Sequence, residues 1–165
     1  MSLTPDFDTV LARLNQTQLW SFPGGVHPPG QKSLSNQSPI ETPPLPEVLY
    51  IPVKQHTGTD ADIIVNVGDN VLKGEALTQS TQPFAVPIHA PTSGVILDVA
   101  EHPSAHPSGI GELTITLQPD GNDTWKTLNP IPQYQTLPKN TLIEHICDAG
   151  IAGLGGAGFP THIKV

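Results

Sequence analysis

The chain has 165 residues and a net charge of −8, from 15 acidic against 7 basic side chains. The acids are scattered from Asp6 to Asp148, and no basic stripe exists that could neutralise a run of phosphates, so nucleic-acid binding is disfavoured. No apolar run approaches the ~18–20 residues of a membrane-spanning helix, and no basic-then-apolar leader opens the chain.

Cys147 is the single cysteine. It can close no internal disulfide, which suits a reducing cytoplasm, and alone it cannot hold an iron–sulfur cluster. Proline (19) and glycine (15) make up about a fifth of the chain. That density breaks long helices but suits short strands joined by turns, so a mainly β fold is expected.

In chain order, Phe7, Val10, Leu11 and Leu14 recur at helical spacing and predict an amphipathic helix within 4–19. Residues 21–46 are rich in proline, glycine and serine and read as extended loop. The first predicted strand is Val48–Ile51. The second is Ile63–Val67, stopped by Gly68-Asp69. A third holds Val86 and Ile88, with Pro87 marking an edge or a bend. The fourth is Gly94–Val99. In the fifth, Leu113, Ile115 and Leu117 alternate with Thr114 and Thr116, the period of a half-buried strand.

Residues 119–138 return to loop. After Pro138, Thr141-Leu142-Ile143-Glu144 has the form of a capping box, and Leu142, Ile143, Ile146 and Ala149 predict one apolar helix face ending at Gly150. The shift from strands to a helix and a glycine loop places a domain boundary near 131–139.

Two constellations carry the functional expectations. The first is Val67–Leu77 followed by Pro87–Ile96, in which Gly-Asp and Ser-Gly turns are each followed by apolar residues that fill a small barrel. It resembles the biotinyl/lipoyl-type barrel-sandwich hybrid. Carrier members of that group present a modifiable lysine between the two segments. Here Thr78–Ala85 contains none and Lys73 lies in an earlier turn, so the expectation is an unmodified barrel.

The second is Gly150–Lys164. Gly153, Gly155 and Gly158 formally spell the dinucleotide fingerprint, but that motif needs a preceding strand, and a helix is expected there instead. Small residues still let backbone amides approach phosphate oxygens, and Lys164 adds a counter-charge. Gly-Leu-Gly-Gly-Ala-Gly-Phe-Pro-Thr with its lysine resembles the flavin- and nucleotide-binding loop of the NADH-oxidising subunit of complex I. The matching positions are Gly153, Gly155, Gly156, Gly158 and Lys164. Leu154 stands where that family usually has arginine.

Further segments are similar to the RnfC (RsxC) family: Gly24–Pro29, Ile51–His56, His89–Gly94 and Ala105–Ser108. The resemblance implies an N-terminal segment over 1–20, a barrel-sandwich hybrid domain over 21–130, and the start of an α/β FMN/NADH-binding domain over 131–165. It implies the N-terminal part of a peripheral, cytoplasmic-face subunit of an inner-membrane complex that couples electron transfer to ion movement. NADH or ferredoxin would be its redox partner, beside the other subunits of the complex. FMN or NADH and two [4Fe-4S] clusters are implied for the full-length parent, with no cofactor expected in these residues alone. Two alternatives are the A subunit of a sodium-pumping NADH:quinone reductase and a non-redox carrier barrel.

His102 and His106 are four residues apart, but Pro103 and Pro107 exclude the helix that would align them, so no zinc site is expected. His27, His56 and His89 flank turns where capping or packing roles are expected. Cys147 reads as a structural thiol, and no catalytic triad or carboxylate pair stands out.

Overall fold

The computed structural model describes residues 28–165. The helix expected over 4–19, the segment 21–27 and His27 lie outside the described residues. The chain divides into two units, Met1–Thr42 and Pro43–Val165. In the first, residues 28–42 hold one short 3-10 turn, Lys32–Leu34, and are exposed.

The second unit is mainly β, as composition requires. Its strands are β1 (Leu49–Pro52), β2 (Asp62–Ile63), β3 (Asn70–Val71), β4 (Thr78–Gln79), β5 (Gly94–Pro103) and β6 (Gly111–Pro119). Four form an antiparallel sheet in the order β1-β6-β5-β3, and β2 pairs with β4 in a second sheet. A bulge at Ile96/Asp98 bends β5 and helps the long β5–β6 ribbon curl over the core. That core is aliphatic: Ile51, Val53, Val71, Leu77, Ile88, Ala90, Ile96, Ile115 and Leu117 are buried together. This is the curled β architecture expected of a barrel-sandwich hybrid.

Gly94 is fixed by close approach. A Cβ there would lie 2.0 Å from the Gln118 carbonyl oxygen, because Gly94 is paired to both Pro119 and Val71. A second constraint lies beside it. Buried Ser93 donates to Asp120 Oδ1 at 2.8 Å, and buried Thr92 donates to Asp123 Oδ1 at 2.8 Å. Lys73 reaches Asp123 Oδ2 at 2.6 Å. These donors staple the 120–125 loop across the turn. They hold the Asp123 carboxyl below its usual range, Lys73 first and Thr92 second. Asp120 is lowered by the Asn122 backbone amide and then by Ser93.

Several sequence expectations need correction. The strand expected over 63–67 stops at Ile63, because Asn66 N–H turns back to Asp69 Oδ2 at 2.7 Å and closes a turn instead. No strand forms at 86–88. Pro87 cannot donate, and Ile88 N–H is taken by the Thr78 hydroxyl at 2.8 Å, although Val86 and Ile88 are buried. The alternation in β6 holds only in part. Thr114 through Thr116 and on to Leu117 are all buried, so both faces are covered there, while Leu113 is exposed.

The helix α1 runs Lys139–Asp148. Pro138 stands at its N-cap with no side-chain cap, so Thr141 lies inside the first turn and the capping box does not form. Pro138 suffices because its ring fixes φ and its carbonyl accepts from Leu142 N–H at 3.2 Å. The half-buried face is Leu142, Ile143, Ile146 and Cys147, with Ala149 exposed. Gly150 ends the helix at φ +71°, its N–H bonding Cys147 O at 2.8 Å while Ile151 N–H reaches Ile146 O at 3.5 Å.

Candidate functional site

The glycine loop follows α1 directly. Its ends are closed by an antiparallel bridge between Ala152 and Pro160, and Gly153 N–H donates to Phe159 O at 2.9 Å. Gly158 N–H donates to Gly155 O at 3.0 Å. A 3-10 turn, Thr161–Ile163, completes the segment. Pro160 is fully buried.

Four of the five residues expected to bind a ligand, the glycines, therefore share one loop in different roles, while Lys164 follows the 3-10 turn after it. Gly153 and Gly158 spend their amides inside the loop. Gly155 and Gly156 are exposed, with nothing within 4 Å of an added Cβ. The amides of Leu154, Gly155, Gly156 and Ala157 have no backbone acceptor among the described residues. Lys164 places its ammonium 5.1 Å from the Phe159 ring centroid, a cation–π contact worth about 0.5–1 kcal/mol when exposed.

Consecutive open amides are the chemistry of an anion concavity. The residues present thus fit a phosphate-bearing group such as a flavin mononucleotide or a dinucleotide. The helix dipole gives no help, because α1 presents its negative C-terminal end to the loop. The donors on offer to an anion are the open amides and the Lys164 ammonium. Leu154, at the position of the complex I arginine, is fully exposed and adds no charge.

Sequence reasoning did not find what holds this loop. Thr57 N–H donates to Gly158 O at 3.1 Å, and the Thr57 hydroxyl donates to Ala157 O. His162 Nε2 donates to Pro83 O at 2.9 Å, and the rings of Phe84 and Phe159 meet edge to face with centroids 6.1 Å apart. Cys147 is half-buried, with its thiol 3.9 Å from Ala85 O. Only an aromatic at an otherwise polar turn, Phe84, could have hinted at these contacts.

The other expected residues separate by geometry. His56 Nε2 accepts from Val86 N–H at 3.0 Å, so Nδ1 carries the proton and donates to Thr57 O at 3.1 Å. His102 Nε2 lies 3.6 Å from Asp98 Oδ2 and 3.4 Å from Thr116 Oγ1. Both contacts fall on one nitrogen, so no hydroxyl–imidazole–carboxylate relay is built. His106 bonds Ser108 Oγ locally at 2.9 Å. Among the described residues no three potential ligands converge on a metal position.

His89 lines a largely apolar groove of about 890 Å³ with Trp125, Lys126, His145 and Asp148. Burial, then the Lys126 ammonium, pushes its imidazole below the ordinary 6.5, against a partial pull from Asp148.

Comparison with known proteins places the chain in a family. The family model that matches is described as the RnfC barrel sandwich hybrid domain and covers residues 20–122. A relative in Vibrio cholerae, the C subunit of the ion-translocating oxidoreductase complex, is 49% identical over 157 residues, covering 95% of this chain and 20% of that one. Its counterpart in Haemophilus influenzae is 50% identical over 156 residues, covering 94% and 24%. That in Pectobacterium carotovorum is 46% identical over 156 residues, covering 94% and 21%. The chain spans about a fifth of the length of these curated relatives.

Proposed function

The chain belongs to the RnfC family, and from that premise we propose that it serves as the N-terminal part of the C subunit of an ion-translocating oxidoreductase complex. The observation that carries this reading is the match to the RnfC barrel sandwich hybrid domain over 20–122. The relatives bear the name of that C subunit, which gives the sodium-pumping quinone reductase alternative no support.

In this reading residues 21–130 dock partners and 131–165 open a nucleotide-binding domain. The glycine loop receives the phosphate of FMN or NADH through the amides of 154–157, with Lys164 beside them. When bound, FMN would accept a hydride and release its electrons one at a time, whereas NADH would donate a hydride. This chain's own residues bind and orient the cofactor: Gly155 and Gly156 leave room for the phosphate, and Gly153 and Gly158 close the loop around that space. The two [4Fe-4S] clusters are assigned to the remaining length of the protein, since one cysteine cannot hold either. The subunit sits peripherally on the cytoplasmic face of the inner membrane, with NADH or ferredoxin as its redox partner.

The test is genetic and biochemical. Inverted membrane vesicles from a strain lacking the gene should lose ion uptake coupled to NADH–ferredoxin electron transfer, and the full-length gene should restore it. Uptake unchanged by the deletion would count against the assignment.

A further inference from the structure

We infer that two barrel turns, Gln55–Gly58 and Ser80–Val86, form a seat that sets the shape of the glycine loop, with Thr57, Phe84 and His162 as its positioning residues. The inference deepens the reading above and rests on it for the ligand, though not for the seat itself.

The seat is held together by bonds that do not involve the loop. Ser80 Oγ donates to Ala85 O at 2.9 Å and Ala85 N–H to Gln82 O at 3.0 Å, which closes the second turn on itself. His56 ties the two turns together, accepting from Val86 while donating to Thr57 O. The turns also touch directly, since a Cβ on Gly58 would lie 2.5 Å from Phe84 O. Phe84 is nevertheless 43% exposed, an apolar ring raised on a turn and covered on one side by Phe159.

The loop cannot order itself. It includes Gly150, Gly153, Gly155, Gly156 and Gly158, which lose more backbone freedom on ordering than other residues. Against that, among the described residues, its local backbone bonds are Gly150 to Cys147, Ile151 to Ile146, Gly153 to Phe159, Gly158 to Gly155 and Thr161 to Ile151. The seat adds contacts from residues far away in sequence: Thr57 to Ala157, 100 residues apart, and His162 to Pro83, 79 apart.

Polarity is what makes these contacts matter. Thr57 engages carbonyls, those of Ala157 and Gly158, so the loop's acceptors at that end face the barrel. The amides of Leu154, Gly155, Gly156 and Ala157 take no part in these contacts. His162 gives its Nε2 proton to Pro83 O and pins the chain just after the loop, while its Nδ1 is buried without a partner among the described residues. The lysine-free turn Thr78–Ala85 therefore has work other than carrying a prosthetic group: it presents Phe84 and the Pro83 carbonyl to the loop.

The experiment is amide hydrogen exchange on the 165-residue chain, comparing Thr57→Val and Phe84→Ala with the parent sequence. Protection of the Gly153 and Gly158 amides should fall by about tenfold or more in both, while core amides such as Ile96 stay protected. Thr57→Ser and Phe84→Tyr should restore protection to within about twofold. Unchanged protection at Gly153 and Gly158 in both disruptive variants, with the core intact, overturns the seat. FMN titration of the full-length subunit separates the two readings. Looser exchange together with at least tenfold weaker FMN binding supports seat and ligand together. Looser exchange in a subunit whose unsubstituted form binds no FMN leaves the seat standing and removes the ligand.

Discussion

Substituting Gly94 by alanine is expected to be among the most damaging single-methyl additions to this fold. The new Cβ would lie 2.0 Å from Gln118 O, 2.8 Å from Gln118 C and 3.0 Å from Pro119 Cα. All three are backbone atoms of β6, so no side chain can swing aside, and relief requires the strands to part by roughly 1 Å. Parting them disturbs the Gly94–Pro119 pairing and the Asp120 N–H to Ser93 O bond at 3.1 Å. Overpacking costs about 1–3 kcal/mol, and each disturbed hydrogen bond about 1 kcal/mol, giving roughly 3–5 kcal/mol in all. Domains are stable by only about 5–15 kcal/mol, so the variant sits near the edge of folding. With a urea slope of about 2 kcal/mol/M, the midpoint by far-UV circular dichroism should fall by about 1.5–2.5 M. The matched control is Gly155→Ala, where the added methyl meets nothing within 4 Å, and which should stay within about 0.5 kcal/mol. A Gly94→Ala midpoint matching that control would refute the packing argument.

Three further outcomes are expected. His89 is held below 6.5 in the folded chain, so the unfolded chain binds its proton more tightly; the stability it contributes is full above pH 6.5 and is lost as pH falls through the folded value. Urea midpoints should therefore decline from pH 7 towards pH 5 with a slope that His89→Gln reduces, and equal slopes would dismiss the effect. Gly150→Ala meets both φ +71° and a Pro87 carbonyl 2.7 Å from the new Cβ, so it should loosen the end of α1 from the barrel and speed limited proteolysis within 131–158; an unchanged digestion pattern would contradict this. Intact mass of the protein made in its native host should show no lipoyl or biotinyl addition on Lys73 or any other lysine, and either addition would restore the carrier reading.

The β-rich class, the strands at 48–51 and 94–99, and the helix end at Gly150 could be read from the chain because each rests on local chemistry: alternation, turn residues and a glycine that tolerates positive φ. What could not be read rests on partners distant in sequence. The strand expected at 63–67 was lost to an Asn66–Asp69 side-chain turn, and that at 86–88 to the Thr78 hydroxyl. The capping box at Thr141 failed because Pro138 starts the helix earlier. The same division holds at the glycine loop. Its residues were proposed from their spacing and resemblance, but the split between closing amides (Gly153, Gly158) and open ones (Gly155, Gly156) needed the fold. So did the seat, since Phe84 stands out in sequence as an aromatic on a polar turn, but nothing there pairs it with Phe159 or Thr57 with Ala157.

The central claim is that the glycine loop of this RnfC-family chain receives a flavin or nicotinamide phosphate within a longer subunit. Calorimetric titration of the full-length subunit with FMN and with NADH, in unsubstituted and Gly156→Asp forms, tests it most directly. A carboxylate at Gly156 places negative charge beside the open amides without touching the packed barrel. The account expects at least one of the two ligands to bind with micromolar affinity, Gly156→Asp to weaken it at least tenfold (about 1.4 kcal/mol), and the 165-residue chain alone to bind either ligand weakly. A full-length subunit that binds neither ligand, or one that binds equally well with Gly156→Asp, would contradict it.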